Sequence, residues 1–245
     1  MHPSTRAAGI AQVNSVWIAI AAAAIVVVAI VGCSPVPASP GTGGPATPAP
    51  TATPVAPLPS GSMAAGTYAV RDAKLTLVPY TVTVPVGWIG GDGARRGDDA
   101  IDSNAVRLTT WIITHVYSNS CHCKGTLVPV ADKAALVAAF TAQVGHTRST
   151  PVETTIGGLA ATRITFTLDA AFKVATCDES VVRLWPDPGP DEGGGWLITP
   201  GQTTTVFVIE AKGKVMVLMT VLRNDSPAAD VAALQQILDS VEFQP

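Results

Sequence analysis

Cys121, His122 and Cys123 stand consecutively in the stretch SNSCHCKG, and Cys177 is the only other cysteine in the distal part of the chain. Thiolates and imidazole are the donor types of soft-metal sites, whereas in an oxidising compartment the same thiols pair as disulfides. Zinc sites usually space their cysteines by two to four residues, and neighbours in an extended chain point to opposite faces. His122 would then aim away from both thiols, so a Cys121/His122/Cys123/Cys177 metal site is the weaker reading and no metal is assigned. If the compartment oxidises thiols, Cys177 pairs with Cys121 or Cys123, and one cysteine is left over.

Other chemistry-bearing residues are sparse. Beyond His122, the distal chain has His115, on a strand beside Trp111 and Tyr117, and His146, placed just past a helix where it can bond the last carbonyls. No G-x-S-x-G, H-E-x-x-H, P-loop or strand-borne G-x-G-x-x-G occurs, so no catalytic residue and no cofactor is assigned, and the expectation is a protein that is not an enzyme. Carboxylates gather in two segments. GGDGARRGDDAIDSN, residues 90–104, carries Asp92, Asp98, Asp99 and Asp102 but lacks the calcium-loop spacing. PDPGPDEGGG, residues 186–195, places Asp187, Asp191 and Glu192 between Trp185 and Trp196. Binding residues often ride on such loops. These five form the candidate ligand loop, against the plainer possibility that both tryptophans belong to the core.

The compartment is set at the N-terminus. Val16 to Val31 is an unbroken apolar run of sixteen residues, preceded by Arg6 and followed by no Lys or Arg until Arg71. That asymmetry puts the N-terminus in the cytoplasm and the rest outside. The run falls between the length of a signal core and that of a spanning helix, about 20 residues. It ends in Ile30-Val31-Gly32-Cys33, which resembles a bacterial lipobox and makes Cys33 the expected lipidation site. Residues 1–33 are thus read as a lipoprotein signal peptide, with a retained membrane anchor as the alternative. Either way the chain meets the membrane and faces the extracytoplasmic side. The net charge of −3, with 15 scattered Lys and Arg, excludes a nucleic-acid partner.

Residues 34–65 form a Pro/Ala/Thr-rich segment with nine prolines between Ser34 and Ser62, and are expected to be a disordered tether. Fully extended at about 3.1 Å per residue, it would span roughly 80 Å. Residues 66–245 have the composition of a folded domain. Strands are expected over Lys74 to Val84, Val106 to Tyr117 (apolar on both faces), Ser180 to Trp185, and in two hairpins. One hairpin turns at Gly157-Gly158; the other joins Thr203–Ala211 to Lys214–Leu222 through Lys212-Gly213. KVMVLMTVL is nearly continuous apolar and should lie centrally in its sheet. Asp132 is expected to cap a helix running to Val144 with Leu136, Phe140 and Val144 on one face. Ser226 should cap a second helix, with Pro227 at its first position, running to Asp239 and burying Val231, Leu234, Ile237 and Leu238. The fold class is α+β: an antiparallel sheet with helices packed on it.

The strand TVTVPVGW at residues 81–88, Gly66-Thr67-Tyr68 ahead of it and the closing LDSVEF together resemble the PsbP-like α/β/α-sandwich superfamily, in particular its LpqN-type exported lipoproteins. The resemblance spans most of residues 66–245, and its motifs describe structure. It implies a layered sandwich that binds proteins or other ligands and has no common active site. In the resembling domains a single cysteine follows a Val-Tyr strand end, as Cys121 follows Val116-Tyr117. The resemblance therefore implies a Cys121–Cys177 disulfide, with Cys123 the alternative partner. The function expected is a membrane-anchored, extracytoplasmic binding module of the cell envelope, recognising a protein or envelope ligand. The alternatives are the ectodomain of a single-pass accessory protein and, behind it, an exported enzyme.

Overall fold

The computed structural model describes residues 54–74, 76–97, 105–187 and 195–244. The apolar run, Cys33, most of the tether, Asp98, Asp99, Asp102, Asp191 and Glu192 lie outside the described residues. In chain order the elements are β1 (Gly66–Val70), β2 (Tyr80–Val84), β3 (Gly93–Arg96), β4 (Val106–Ile112), β5 (His115–Tyr117), β6 (Leu127–Pro129) and α1 (Lys133–Ala142). There follow β7 (Val152–Ile156), β8 (Leu159–Thr167), β9 (Val182–Trp185), β10 (Trp196–Ile198), β11 (Gln202–Ala211), β12 (Lys214–Arg223), α2 (Ala228–Asp239) and β13 (Glu242–Phe243).

The main sheet is antiparallel throughout, in the order β8-β11-β12-β4-β3, with β7 also paired to β8. Two-residue strands extend it at each end: Thr147–Arg148 beside β8, then Ile89–Gly90 and Gly61–Ser62 beyond β3. β12 is central, as its continuous apolar composition requires, because alternate side chains enter two cores. Met216 and Leu218 join Phe207, Ile209, Leu108 and the α2 residues Leu234, Ile237 and Leu238. Val215, Val217, Met219 and Val221 join Val206, Val208, Ile164, Phe166 and the α1 residues Leu136 and Phe140. Each such fully buried side chain contributes about 1.5–3 kcal/mol. A smaller sheet of β1, β2 and β13 helps close the first core through Tyr80, Val82, Val84 and Phe243. The Trp185/Trp196 hairpin (β9 and β10) closes the second.

Several expectations are corrected at element ends. The folded part begins before Gly66: Ala56–Pro57 pairs in parallel with Tyr68 and Ala69, Met63 N–H donates to the Trp88 carbonyl, and Met63 is buried. Prolines leave their neighbours free to donate, and a two-residue edge pairing needs no more than that. Strand β2 starts at Tyr80 rather than Lys74, after a turn that ends at Pro79. The expected strand to Tyr117 breaks at Thr114, so that Ile113 and Val116 both enter the second core. Helix α1 ends at Ala142, and Val144 is exposed. Asp132 caps α1 as expected, accepting from Ala135 N–H at 2.7 Å. For α2, Pro227 itself takes the N-cap position; the Ser226 hydroxyl instead accepts from Arg223 N–H and donates to the Ala105 carbonyl. Val231 is only half-buried.

Candidate functional site

Strand β4 presents Arg107 and Trp111 toward the second core's rim, four residues apart and on one face. Strand β10 brings Trp196 beside them. Trp185 and Trp196 are direct cross-strand partners, with rings stacked at 6.4 Å, and Trp111 meets each edge-on at 6.4 and 6.1 Å. Gly195 makes this approach possible: it has φ +120°, and a Cβ there would lie 2.0 Å from the Trp185 carbonyl oxygen. Any other residue would part the hairpin and withdraw Trp196 from the cluster.

The Arg107 guanidinium lies 5.6 Å over the Trp196 ring. Its Nη2 donates to both Asp92 oxygens, at 2.7 and 2.6 Å. Asp92 is held in turn by its backbone carbonyl, which accepts from the Thr109 hydroxyl. Leu197, Thr199 and Gln202 complete a cleft of about 370 Å³. Gln202 is buried, and its amide is spent on the protein: Oε1 accepts from Thr199 and Arg223, and Nε2 donates to Thr204. The indole N–H groups of Trp111, Trp185 and Trp196 are enclosed and find no acceptor among the described residues. Each such orphan donor costs about 1–3 kcal/mol. All three are shielded from solvent, as is the indole N–H of Trp88 in the first core.

Of the five ligand-loop residues, Trp185 is fully buried, Trp196 is buried with one side on the cleft, and Asp187 is half-buried outside the cleft lining. Asp191 and Glu192 lie outside the described residues. The tryptophans thus serve the core and wall the cleft at once. Sequence reasoning missed Arg107, Trp111 and Asp92 as their companions. Asp92 stood in a segment read as one long loop, yet Gly93–Arg96 is a strand that turns it toward Arg107.

The cysteine turn is built differently. Cys121 and Cys177 form a disulfide, and Cys123 is free and buried. The bridge takes two of the four donors a metal site would need. Backbone bonds sew the same turn to β9: Asp178 N–H to the Cys121 carbonyl and Arg183 N–H to the Ser120 carbonyl, both 2.8 Å. His122 points outward, 3.4 Å from an Asp178 oxygen. The Lys124 backbone N–H, and then His122, hold the Asp178 carboxyl below its ordinary range.

Ser120 and His146 also meet, with Oγ and Nδ1 3.0 Å apart. This pair is closed to a substrate, because Ser120 is fully buried and its hydroxyl also donates to the Val144 carbonyl. Burial, with the nearby Arg148 charge, lowers the His146 pKa to about 4. His146 does not bond the helix end; Arg148 does, donating to the Gln143 carbonyl at 3.0 Å. His115 is exposed, and among the described residues its ring meets the Thr114 hydroxyl beside it. A wider groove of about 920 Å³ along α1 is walled by Ala134, Val137 and Ala138; Lys133 pairs with Glu153 there, while the Asp132 and Glu210 carboxylates accept from the Ala135 and Lys133 backbone N–H groups.

No protein-family model and no curated protein matches the sequence. Among solved structures, the chain is similar to LpqN of Mycobacterium tuberculosis, described as involved in cell envelope biogenesis, at 14% identity and a TM-score of 0.36. That similarity covers 74% of this chain and 91% of LpqN. Cyanobacterial PsbP (CyanoP) from Synechocystis sp. PCC 6803 is similar at 12% identity and a TM-score of 0.34, covering 74% of this chain and 94% of that one.

Proposed function

We propose that the chain is an extracytoplasmic binding module of the cell envelope, tethered to the membrane through its N-terminus, whose ligand site is the cleft between β4 and β10. The observation that carries the reading is the cleft itself. Aromatic and charged side chains, Trp111, Trp196, Arg107 and Asp92, are fixed on or beside strands around a concavity, with the guanidinium held between an indole ring and a carboxylate. A pocket with aromatic walls and a few convergent polar groups is the usual form of a small-ligand site.

The compartment is supported by the one-sided charge around Val16 to Val31, by Gly32-Cys33 and by the Cys121–Cys177 disulfide, a bond that persists outside the reducing cytosol. The module works by recognition rather than catalysis. The Ser120–His146 pair has its serine fully buried, and no carboxylate lies within bonding distance of that imidazole among the described contacts.

Two measurements test this. Palmitate labelling of cells expressing the chain should be lost in Cys33→Ser; labelling that survives the substitution removes the lipid anchor, and a chain that stays in the membrane unlabelled points to a retained helix. Photo-crosslinking in intact cells from an unnatural residue at position 197, on the cleft rim, should trap an envelope component. The same probe at exposed Val86, away from the cleft, should not. Equal trapping at both positions would discard the cleft as the site.

A further inference from the structure

We infer that the edge strand β7 pairs antiparallel with β7 of a second copy of this chain, joining two main sheets across a two-fold axis at Thr154. Three strands separate this edge from β4, so the pairing stands apart from the cleft. β7 bonds to β8 on one side only, in a register running from Val152↔Arg163 to Ile156↔Leu159. The hairpin turns on two residues, Gly157 and Gly158, at φ +55° and +84°, which makes Ile156 and Leu159 a hydrogen-bonded closing pair. Such pairs alternate along a strand, so Val152, Thr154 and Ile156 spend their backbone groups on β8. Glu153 and Thr155 turn theirs outward, where no backbone partner meets them among the described residues. Val152, Glu153 and Thr155 are all exposed.

An open edge can accept any extended chain. A second copy is singled out by how these five residues read against themselves. With Thr154 on the axis, Glu153 faces the partner's Thr155, and Thr155 faces the partner's Glu153. Both pairs fall on outward positions of both strands and exchange backbone hydrogen bonds in each direction. Val152, 46% exposed, faces the partner's Ile156 in a non-hydrogen-bonded pair, where side chains stand closer and apolar surface is covered. No like charges meet. Neighbouring registers are poorer. An axis at Glu153 opposes two carboxylates and sets Pro151, which has no N–H, against the partner's Thr155. An axis at Thr155 sets Glu153 against the partner's Gly157, a residue whose carbonyl already accepts from Phe243 N–H. One short strand pair is small beside the roughly 1,200–2,000 Å² of stable interfaces, so the association is reversible.

The test traps the pair covalently in intact cells expressing the full chain. In the non-hydrogen-bonded pair on the axis, the two Thr154 Cα atoms stand about 4.5 Å apart, within the span of a disulfide. Copper–phenanthroline oxidation should therefore link Thr154→Cys chains to each other through position 154, read by non-reducing peptide mapping. Positions 153 and 155 lie diagonally from their own equivalents, about 8 Å apart and beyond a disulfide's reach. Glu153→Cys and Thr155→Cys should link to themselves at less than a tenth of that yield. Thr155→Pro removes one outward N–H and no bond to β8, so adding it to Thr154→Cys should cut the link tenfold. Equal yields at 153, 154 and 155 would mean chance collision and overturn the inference, as would no link through 154. A link from 154 to a different protein alone also overturns it, and gives the edge to a foreign strand. A folded proline variant that links in full does the same. The comparison of the three cysteine positions decides by itself if the proline variant fails to fold.

Discussion

His146 shows what a single side chain costs when the fold encloses it. Its ring is wedged edge-on against Phe166 at 5.0 Å, Nδ1 faces the Ser120 hydroxyl, and Nε2 has no partner among the described residues. Burial lowers its pKa to about 4, against 6.5 for a free imidazole. Below pH 6.5 the unfolded chain takes up a proton that the folded form refuses, so stability falls as the pH drops from 6.5 to 4 and this contribution is flat beyond. The loss over that window reaches about 3 kcal/mol. Urea midpoints measured from pH 7.5 to 4 should show that decline, and His146→Gln should flatten it; an unchanged slope in the variant would assign the decline to other groups. Gly145 beside it is equally constrained. At φ +99°, with the Ser120 hydroxyl 2.6 Å from where a Cβ would stand, Gly145→Ala should destabilise by about 1–3 kcal/mol in the same urea titration.

At the scale of elements, the C-terminus of α1 carries more than its own helix. Gln143 leaves the helical path, is fully buried, and its Nε2 donates to the Tyr117 carbonyl at 2.8 Å and the Leu184 carbonyl at 2.7 Å. One side chain thus ties α1 to β5 and β9, the two strands that flank the cystine. Gln143→Leu keeps the volume but leaves two buried carbonyls without that donor, so an equilibrium loss of about 2–4 kcal/mol is expected in urea, well above the roughly 1 kcal/mol of Asp132→Ala at the other end of the helix. Equal losses would deny Gln143 its role as a tie. The same place shows where sequence reading ends. Leu136 and Phe140 sit four residues apart and fall into the core, but continuing that spacing to Val144 gave an exposed residue, because a glutamine with carbonyls to satisfy outranks one more helical turn. Both hairpins, the central place of KVMVLMTVL and the antiparallel sheet were legible, since each depends on a short-range pattern of period two. The cleft was legible only through its tryptophans. Arg107 and Asp92 are 15 residues apart and meet through the pairing of β3 with β4, which no local pattern encodes.

For the whole molecule, the decisive feature is that both cores share the strands β11 and β12, while the cystine itself packs in only the second. The Cys121–Cys177 bridge closes a loop that contains α1, whose Leu136 and Phe140 enter the second core, together with β7 and β8, whose Ile156, Leu159 and Ala161 meet the first core and whose Ile164 and Phe166 meet the second. With a separation of 56 residues, closing that loop is worth about 4 kcal/mol in the chain-entropy model. Reduction should therefore lower stability by about that much, and the question is where the loss appears. Met216 and Val217 are adjacent on β12 yet point into opposite cores, so neither core can lose its floor without exposing the other's. A single cooperative transition follows, in which the first core's Trp88 and the second core's Trp185 and Trp196 report the same midpoint before and after reduction. The measurement is urea unfolding of the oxidised and reduced protein, read by indole signals resolved for each tryptophan. Coincident curves that shift together under reductant support the shared floor. If the Trp185 and Trp196 signals unfold first in the reduced protein while Trp88 stays native, the second core is a separate cooperative unit held by its cystine, and the cleft it carries would open with it.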